Sequence, residues 1–480
     1  MKHIVLALAL SVALPALAQA QTLDQRIAAR LGEAPVGTRF GLVVVDPDGR
    51  EIVAINPDGR FIPASNTKIY TTAAAFANLP DINQPDTTGG ATVRLEGNDV
   101  VLTGWGDARM SSADDCATDC LATLADAIAA KTKHVRNIIG DDTAFPDQRW
   151  SPGMSWNNIP SSSGTGISAL TLDDNELKLT IAPAKDGEAA RIDLWPYFTI
   201  DNQAKTVPGD KTELGWDRDP NGKQLRVTGT IGADAKPRTW KLGIDDPADY
   251  AAWRLKVLLE ARGVKVKGTV SARHRPLKPE DDPEYRAKNG TSLVQLAAAA
   301  PVLARITPPP VAEDLKHINK VSQNLHAELT LRRVATLQGS GSIADGVAKV
   351  EKMLVAAGVP RTGWDFSDGS GMSSYNRVSP RGSVGLLRWI AGQPWGAQFR
   401  ETLPVGGIDG TLARRFKGTP LEGKVFAKTG TLNATNALAG YFTAASGKTY
   451  TFAFYANDVP GDVSATKYMD DVLNLVAAAN

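Results

Sequence analysis

Strand-like segments at the two ends of the chain place the strongest constraint on its fold. Residues 37–65 carry two apolar strand patterns, with turn signals at Asp46–Arg50 and Asn56–Arg60 on either side of EIVAI. Residues 423–457 carry three more strand patterns with Gly, Asn and Ser turns between them, and a helix is predicted over 468–479. Five strands drawn from both ends predict one sheet built from N- and C-terminal parts, with the middle of the chain inserted.

The middle of the chain, about residues 84–289, has a different pattern. Short alternating strands such as ATVRLEGNDVVLTG and KQLRVTGTI are separated by Gly- and Pro-rich turns, and PADYAAWRLKVLLEARG predicts one clear helix. A chain of 480 residues is long enough for two or three domains. We predict a sheet-forming domain over 21–85 and 290–480, a β-rich inserted subdomain over 86–166 and 246–289, and a second β-rich subdomain nested within it over 167–245.

The first 20 residues, MKHIVLALALSVALPALAQA, have the pattern of a signal peptide. Lys2 and His3 precede an apolar run, and Ala18-Gln19-Ala20 supplies the small-residue cleavage pattern. No later stretch is apolar and long enough to predict a transmembrane segment. We therefore predict a secreted, soluble protein, with the periplasm preferred although the segment does not distinguish envelope types. The net charge of +1 and the lack of a basic stripe argue against nucleic acid as a partner.

Two cysteines, Cys116 and Cys120, lie in DDCATDC. An oxidising compartment permits a local disulfide, but the sequence leaves open whether the pair is bonded. The spacing does not match a zinc or thiol-redox motif, and no histidine lies close in sequence. We predict no metal and no organic cofactor.

A serine three residues before a lysine, Ser65 and Lys68, opens the helix predicted from PASNTKIYTTAAA. The spacing puts both side chains on one side of the first turn, where a lysine of lowered pKa can take the serine proton. A solvated lysine is the alternative, and Ser464-x-x-Lys467 shows that the spacing also occurs without any partner motif after it.

Two later motifs supply the missing partners. Ser322 and Asn324 directly precede a predicted helix, where they could relay a proton and hold a lysine or a substrate carbonyl, or merely cap the helix. Lys428-Thr429-Gly430 lies on a predicted strand, where the lysine could bind a carboxylate and the glycine would let a substrate backbone approach. An exposed lysine before a turn is the alternative interpretation of Lys428.

Taken in this order, the three motifs resemble those of penicillin-binding proteins and active-site serine β-lactamases. The spacing of 257 positions from Ser65 to Ser322 resembles the long insertion of the low-molecular-mass class C penicillin-binding proteins, the D-alanyl-D-alanine carboxypeptidase/endopeptidase family known as peptidase family S13. The segments SALTLDDN, SDGSGMSSYNRVSP and LPVGGIDGTLARRF are similar to that family as well. The resemblance implies a serine β-lactamase/DD-peptidase-like α+β fold, with helices on both faces of a five-stranded antiparallel sheet and two β-rich subdomains inserted.

The resemblance also implies roles for the nucleophile and its surroundings. Ser65 would be acylated, with Lys68 as its general base. The backbone N–H groups of Ser65 and Thr431 would form the oxyanion hole, which fits the need for donors fixed before negative charge develops.

Further roles follow for the second and third motifs. Ser322 would pass the proton to the leaving amine, and Asn324 would contact the substrate amide. Lys428 would support the site electrostatically, while Thr429 and Gly430 would bind substrate.

The substrates implied are peptidoglycan stem peptides and cross-links, with β-lactam antibiotics as covalent inhibitors. Asp142 in GDDTAFP, with Asp141 beside it, resembles the acidic position that binds the free amine of the peptide's diamino acid. The family often has Gly-Leu-Ser-Arg where this chain has Gly371-Met372-Ser373-Ser374. Without that arginine the diamino-acid preference stays open, and Arg377 is a possible substitute.

Four alternatives stay open at this stage. A serine β-lactamase of class A uses a glutamate in Glu-x-x-x-Asn to activate water, and no such stretch lies between Asn324 and Lys428. An esterase of the same superfamily, or a peptidoglycan-binding module with an inactive serine site, is also compatible. A histidine-based triad could involve only His326 near the second motif, which we interpret as a partly buried helix residue.

Overall fold

A computed structural model describes residues 21–293 and 301–480 of the chain. The described part contains eleven α-helices: α1 Leu23–Gly32, α2 Thr67–Asn78, α3 Leu121–Lys131, α4 Pro247–Ala261, α5 Pro283–Asn289, α6 Val311–Val321, α7 Asn324–Thr336, α8 Ile343–Ala356, α9 Pro380–Ala391, α10 Gly396–Thr402 and α11 Thr466–Ala479. The predicted signal peptide, residues 1–20, lies outside the described residues. Within the described ranges no helix has the length and apolar character needed to cross a membrane.

The same part of the chain contains twenty-one β-strands. They are β1 Arg39–Val45, β2 Glu51–Ile55, β3 Thr92–Glu96, β4 Asp99–Thr103, β5 His134–Val135, β6 Ile138–Pro146, β7 Glu176–Ala182, β8 Arg191–Asp193, β9 Thr199–Asn202, β10 Lys205–Val207, β11 Thr212–Asp217, β12 Gln224–Gly232, β13 Arg238–Gly243, β14 Lys265–Val266, β15 Val270–Arg275, β16 Val302–Arg305, β17 Trp364–Asp365, β18 Arg377–Val378, β19 Val425–Leu432, β20 Thr435–Thr443 and β21 Thr449–Asn457.

The main sheet joins the two ends of the chain, as predicted. Its strand order is β19-β20-β21-β1-β2, and every neighbouring pair is antiparallel. Pairing of β1 with β21 joins the N- and C-terminal parts of the sheet, and Val43 lies opposite Ala453 in this pair. The predicted α+β fold with a five-stranded antiparallel sheet is therefore confirmed.

Helices cover both faces of this sheet because its strands are apolar on both sides. On one face Phe452 and Phe454 of β21 pack with apolar side chains of α1 and α11, including Met469. On the other face Ala453 and its small neighbours pack against a cluster formed by α2 and α6–α10. Strand side chains alternate between faces, so one strand serves both layers. Small residues on the second face let the helices carrying the site approach the sheet closely.

The inserted region is built on a second five-stranded sheet, β15-β6-β4-β3-β16. Strands β4, β6 and β15 are parallel, and α4 packs over β6 where Gly140 leaves room for the carbonyl of Ala248. Helix α3 also belongs to this region, although only α4 was recognised from the sequence. Cys116 and Cys120 form a disulfide in the loop before α3.

The boundaries of the inserted subdomains stay a proposal. Strands β7–β13 pair only with one another in the part of the chain that the structure describes, forming two small sheets inside the proposed nested subdomain of 167–245. Strand β16 pairs with β3, so Arg305 lies opposite Thr92 within the inserted sheet. We therefore propose that the chain returns to the main domain near residue 306 rather than at 290.

Leu331 packs at the centre of the helical layer, and its truncation tests how much this layer contributes to stability. Its side chain extends from α7 and is buried against Gly346 of α8 and against Gly369. Leu331→Ala leaves a cavity there, so we expect the free energy of unfolding to fall by about 2–5 kcal/mol. Urea unfolding followed by tryptophan fluorescence measures the change. Val355→Ala, on the exposed side of α8, is the control and should change it by less than about 0.5 kcal/mol. Equal effects of the two variants would contradict this packing.

Candidate active site

Ser65 lies in a single 3₁₀ turn, Ala64–Asn66, that leads directly into α2. Two contacts fix this turn. The Asn66 amide donates a 2.8 Å hydrogen bond to the backbone carbonyl of Lys428 on β19. On the other side Gly371, at φ +87°, lies against the carbonyl of Ala64, where any Cβ would collide. The serine is thus held between the edge of the main sheet and the loop that contains Gly371.

Lys68, one turn further on, is completely buried and points at Ser65. Its Nζ lies 3.0 Å from Ser65 Oγ, and it donates hydrogen bonds to Asn324 Oδ1 at 2.7 Å and to the Ser370 carbonyl at 2.6 Å. Burial lowers the pKa of Lys68 to about 7, although the carboxylates of Asp368 and Glu328 favour its charged form. A large fraction of this amine is therefore neutral near pH 7, as a general base requires.

Ser322 and Asn324 occupy the junction between α6 and α7. Ser322 ends α6 in a left-handed conformation, at φ +66°. Asn324 is the first residue of α7, and its amide donates a 3.2 Å hydrogen bond to the carbonyl of Ser163 in the insert. The side chain that caps α7 belongs to Gln323, which accepts from the Leu325 N–H. The polar groups of Ser322 and Asn324 point into the cluster instead of capping the helix.

Lys428 is also completely buried, which excludes the alternative of an exposed lysine. Its Nζ donates 2.9 Å hydrogen bonds to Ser322 Oγ and to the carbonyl of Thr429. Burial, and then repulsion from Lys68, hold the pKa of Lys428 well below its usual value. The second and third motifs therefore meet at one hydroxyl, Ser322 Oγ.

Strand β19 presents the rest of the third motif at the edge of the sheet. Residues 404–406 cover the edge beside Val425–Ala427, and Lys428 begins the part beyond that cover. A Cβ on Gly430 would lie 2.5 Å from the carbonyl of Pro63, so glycine is needed for close contact with the Ser65 turn. Thr431 is exposed, and Thr429 Oγ1 lies 2.7 Å from Thr411 Oγ1.

The competing Ser464-x-x-Lys467 pair is not assembled into a site. Ser464 and Lys467 are both exposed. The Ser464 hydroxyl lies 3.0 Å from Thr466 Oγ1 and 3.4 Å from Asn436 Oδ1. The pair is an ordinary helix start.

Two buried carboxylates complete the surroundings of Lys68, and sequence reasoning missed both. Asp368 accepts hydrogen bonds from the N–H groups of Gly371 and Ser373 and from the amide of Asn376, which shapes the loop. Glu328 lies on α7, four residues after Asn324 and therefore on the same helix face. That spacing, one helical turn after Asn324, was the available signal.

Asp142 lies outside this cluster, on β6 of the insert. Its carboxylate lies 3.0 Å from His274 Nδ1 and accepts a 2.9 Å hydrogen bond from Ser168. The neighbouring Asp141 pairs with Arg94 and Arg273. Both carboxylates therefore have partners within the insert, and the role of Asp142 in binding a substrate amine stays a prediction.

Arg377, the possible substitute for the missing arginine, follows the same loop. It donates hydrogen bonds to the carbonyls of Ser374, at 2.6 Å, and Asn376, at 2.8 Å. The hydroxyl of Ser374 donates to the carbonyl of Gly153 in the insert. Partial burial and repulsion from Arg60 and Arg39 lower the pKa of Arg377.

His326 is more deeply buried than its sequence suggested, and it serves no serine. Its Nδ1 lies 2.5 Å from Asp314 and its Nε2 lies 2.8 Å from Asp174 of the nested region. These two carboxylates outweigh burial and raise the pKa of His326 to about 10. Both ring nitrogens therefore contact carboxylates, and the raised pKa disfavours the neutral imidazole that a general base needs at neutral pH, so the structure argues against a histidine triad at His326.

Comparison with known proteins agrees with this geometry. The model of the family described as D-Ala-D-Ala carboxypeptidase 3 (S13) matches residues 23–479. A D-alanyl-D-alanine carboxypeptidase of Actinomadura sp. (strain R39) is 33% identical over 434 residues, covering 86% of this chain and 76% of the relative. D-alanyl-D-alanine carboxypeptidase DacB of Haemophilus influenzae is 25% identical over 442 residues, covering 88% and 86%.

The fold has a close counterpart among solved structures. Penicillin binding protein 4 (dacB) from Haemophilus influenzae superposes with a TM-score of 0.77 at 21% identity. The superposition covers 94% of this chain and 99% of that protein. At this identity the similarity concerns the fold.

His274 lies between Asp142 and Asp246, and this arrangement predicts a pH-dependent contribution to stability. Hydrogen bonds to the two carboxylates raise the pKa of His274 from 6.5 to about 10. The contribution is therefore complete below about pH 6.5 and is lost as the pH rises through about 10. We expect His274→Gln to lower the thermal midpoint at pH 6.5, with a difference from wild type that shrinks toward pH 10.

Thermal unfolding between pH 6 and 10.5 measures this difference, with His134→Gln as the control because His134 is exposed. A constant difference across the range would contradict a charged His274 in the folded state.

Proposed function

This chain belongs to the D-Ala-D-Ala carboxypeptidase 3 (S13) family, and we propose that Ser65 is the nucleophile with which it cleaves peptides. The protein is a serine-type D-Ala-D-Ala carboxypeptidase. The observation that carries the assignment of the nucleophile is the buried Lys68 amine, 3.0 Å from Ser65 Oγ with a pKa of about 7.

In the proposed acylation step, Ser65 Oγ attacks the carbonyl carbon of the penultimate D-alanine while its proton passes to Lys68 Nζ. The backbone N–H groups of Ser65 and Thr431 stabilise the oxyanion. Collapse of the tetrahedral intermediate breaks the C–N bond, and Ser322 donates its proton to the departing amine. The proton held by Lys68 Nζ replaces it on Ser322 Oγ, which leaves Lys68 neutral for the second step. Lys428, which lies 2.9 Å from Ser322 Oγ, supports this transfer.

The second step releases the acyl group from Ser65. Water adds to the ester carbonyl, and Lys68 takes its proton as it took that of the serine. The peptide leaves as a carboxylate, and the proton returns to Ser65 Oγ. When the leaving group is free D-alanine the reaction is a carboxypeptidase reaction, and when it belongs to a cross-link the reaction is an endopeptidase reaction.

We propose peptidoglycan stem peptides and cross-links as the substrates, bound along β19. The edge of this strand beyond Ala427 offers main-chain groups to an extended peptide. Thr429 and Gly430 line that edge, and we propose that Asn324 contacts the substrate amide. Asp142, and Arg377 in place of the missing arginine, are proposed for the diamino acid. β-Lactams are proposed as covalent inhibitors of Ser65.

The β-lactamase alternative differs from this proposal in the fate of the acyl-enzyme. A β-lactamase hydrolyses it rapidly, and the chain has no Glu-x-x-x-Asn stretch between Asn324 and Lys428 for that purpose. A non-catalytic binding module has no need for two buried lysines in contact with serine hydroxyls.

We further propose export to the periplasm, which rests on the signal-like sequence of residues 1–20.

Covalent labelling with a fluorescent penicillin tests the nucleophile. We expect labelling that persists for many minutes, is abolished by Ser65→Ala and is unchanged by Ser464→Ala, since the second serine is not assembled into a site. Gel fluorescence and mass spectrometry of the labelled peptide give the readout. Rapid turnover of the drug would indicate a β-lactamase, and no labelling of the folded protein would contradict the proposal.

Lys68→Met tests the base, because methionine has similar length and no proton acceptor of comparable strength. We expect the acylation rate of Ser65 to fall by about 10²–10⁴-fold. Stopped-flow or timed labelling with the same penicillin measures it, and Lys467→Met serves as the matched control. Acylation at the wild-type rate in Lys68→Met would exclude Lys68 as the general base.

A further inference from the structure

Glu328 is a buried acid beside the Ser65–Lys68 cluster that belongs to none of the three motifs. Its side chain lies on α7, one turn after Asn324, and is 5% exposed. Its Oε1 accepts hydrogen bonds from two successive backbone N–H groups, Gly369 at 3.0 Å and Ser370 at 2.8 Å. One carboxylate oxygen therefore fixes the start of the loop that passes beside Lys68.

The loop segment held by Glu328 makes direct contact with the proposed base. The carbonyl of Ser370 accepts a 2.6 Å hydrogen bond from Lys68 Nζ. Asn324, on the same face of α7 as Glu328, accepts another at 2.7 Å. Glu328 thus supports one of the three groups around the amine, the Ser370 carbonyl, through the loop.

We propose that Glu328 is a positioning residue for acylation: it holds the Ser370 carbonyl against Lys68 Nζ and places a negative charge near that amine. This inference rests on the proposed role of Lys68 as the base for Ser65.

The charges around the amine come from every element packed against it. Glu328 faces it from α7, Asp368 from the loop and Lys428 from β19. The two carboxylates favour the charged form of Lys68, while burial opposes it more strongly and brings its pKa to about 7. Removal of the Glu328 charge should therefore lower the pKa of Lys68 further.

The ionisation of Glu328 is itself adjusted by its neighbours. Burial and the charge of Asp368 raise its pKa, whereas its bonds to Ser370 and the guanidinium of Arg332 lower it. Because the charge of Glu328 favours the charged form of Lys68, the ionisations of the two groups are linked, and their proton losses belong to the pair. The low-pH side of the profile of Ser65 acylation rate against pH reports the ionisation of Glu328 and Lys68 together.

Glu328→Gln separates charge from shape, because the amide oxygen can still accept both N–H groups. We expect the acidic limb of Ser65 acylation by a fluorescent penicillin, measured from pH 5 to 9, to move to lower pH by about one unit. The shift has this sign because loss of the carboxylate removes a charge that retains the proton on Lys68. The plateau at high pH should stay near the wild-type rate.

Glu328→Ala removes the acceptor as well as the charge. The Ser370 carbonyl is then no longer fixed, so we expect the plateau rate to fall by about ten- to a hundredfold. Glu351→Gln, on α8 and away from the cluster, is the matched control and should reproduce the wild-type profile. Circular dichroism and thermal midpoints establish that each variant is folded.

The outcomes distinguish this inference from the function on which it rests. A Glu328→Gln profile that overlays wild type, even with a lower thermal midpoint, would overturn the inference and leave Glu328 with a structural role only. This variant decides the matter even if Glu328→Ala does not fold. Failure of wild type to label at Ser65 would instead remove the proposed function itself.

Discussion

The burial of two amines in one small volume is the constraint on which the catalytic architecture depends. Lys68 and Lys428 are both fully buried, and an ammonium group without acceptors is costly to remove from water. Lys68 therefore has three oxygen neighbours and Lys428 has two. Burial and mutual repulsion together favour loss of a proton, which turns a poor base into an effective one at neutral pH. The same desolvation that threatens stability thus creates the reactivity.

This burial requires segments that are distant in sequence to approach more closely than ordinary side chains permit. Gly371 lies against the carbonyl of Ala64, and Gly430 lies against that of Pro63, so the Ser65 turn is held on two sides by backbone. Small residues on the helix-covered face of the sheet, such as Ala453, let the helical layer come close enough for these contacts. Tight backbone packing therefore positions the nucleophile, and the side-chain hydrogen bonds refine that position.

The main sheet and the three motifs could be predicted because each combines a local pattern with a particular chemistry. Lys428 is an example: the strand pattern placed it on β19, and the motif gave it a partner. Glu328 could not be found in this way, because its importance depends on the backbone of Gly369 and Ser370, which is distant in sequence. The surroundings of Asp142 could not be predicted for the same reason, because its partner His274 lies on another strand, β15.

The insert was predicted less completely for a related reason. Alternation of apolar residues indicates strands but does not give their order or direction. The parallel pairing of β4 with β6 and of β6 with β15 joins segments separated by helices, so it depends on non-local contacts. The same applies to β16, whose membership of the inserted sheet is decided by its pairing with β3.

The pairing of β1 with β21 also has a consequence for biogenesis. Strand β1 gains its second neighbouring strand only after β21 has been synthesised, because Val43 of β1 pairs with Ala453 of β21. The inserted sheet joins segments that emerge earlier, so it can form while the C-terminal strands are still being synthesised. The turn that contains Ser65 packs against β19. The surroundings of Ser65 are therefore complete only after this C-terminal strand has been made. High contact order of this kind delays acquisition of reactivity until nearly the whole polypeptide has been made.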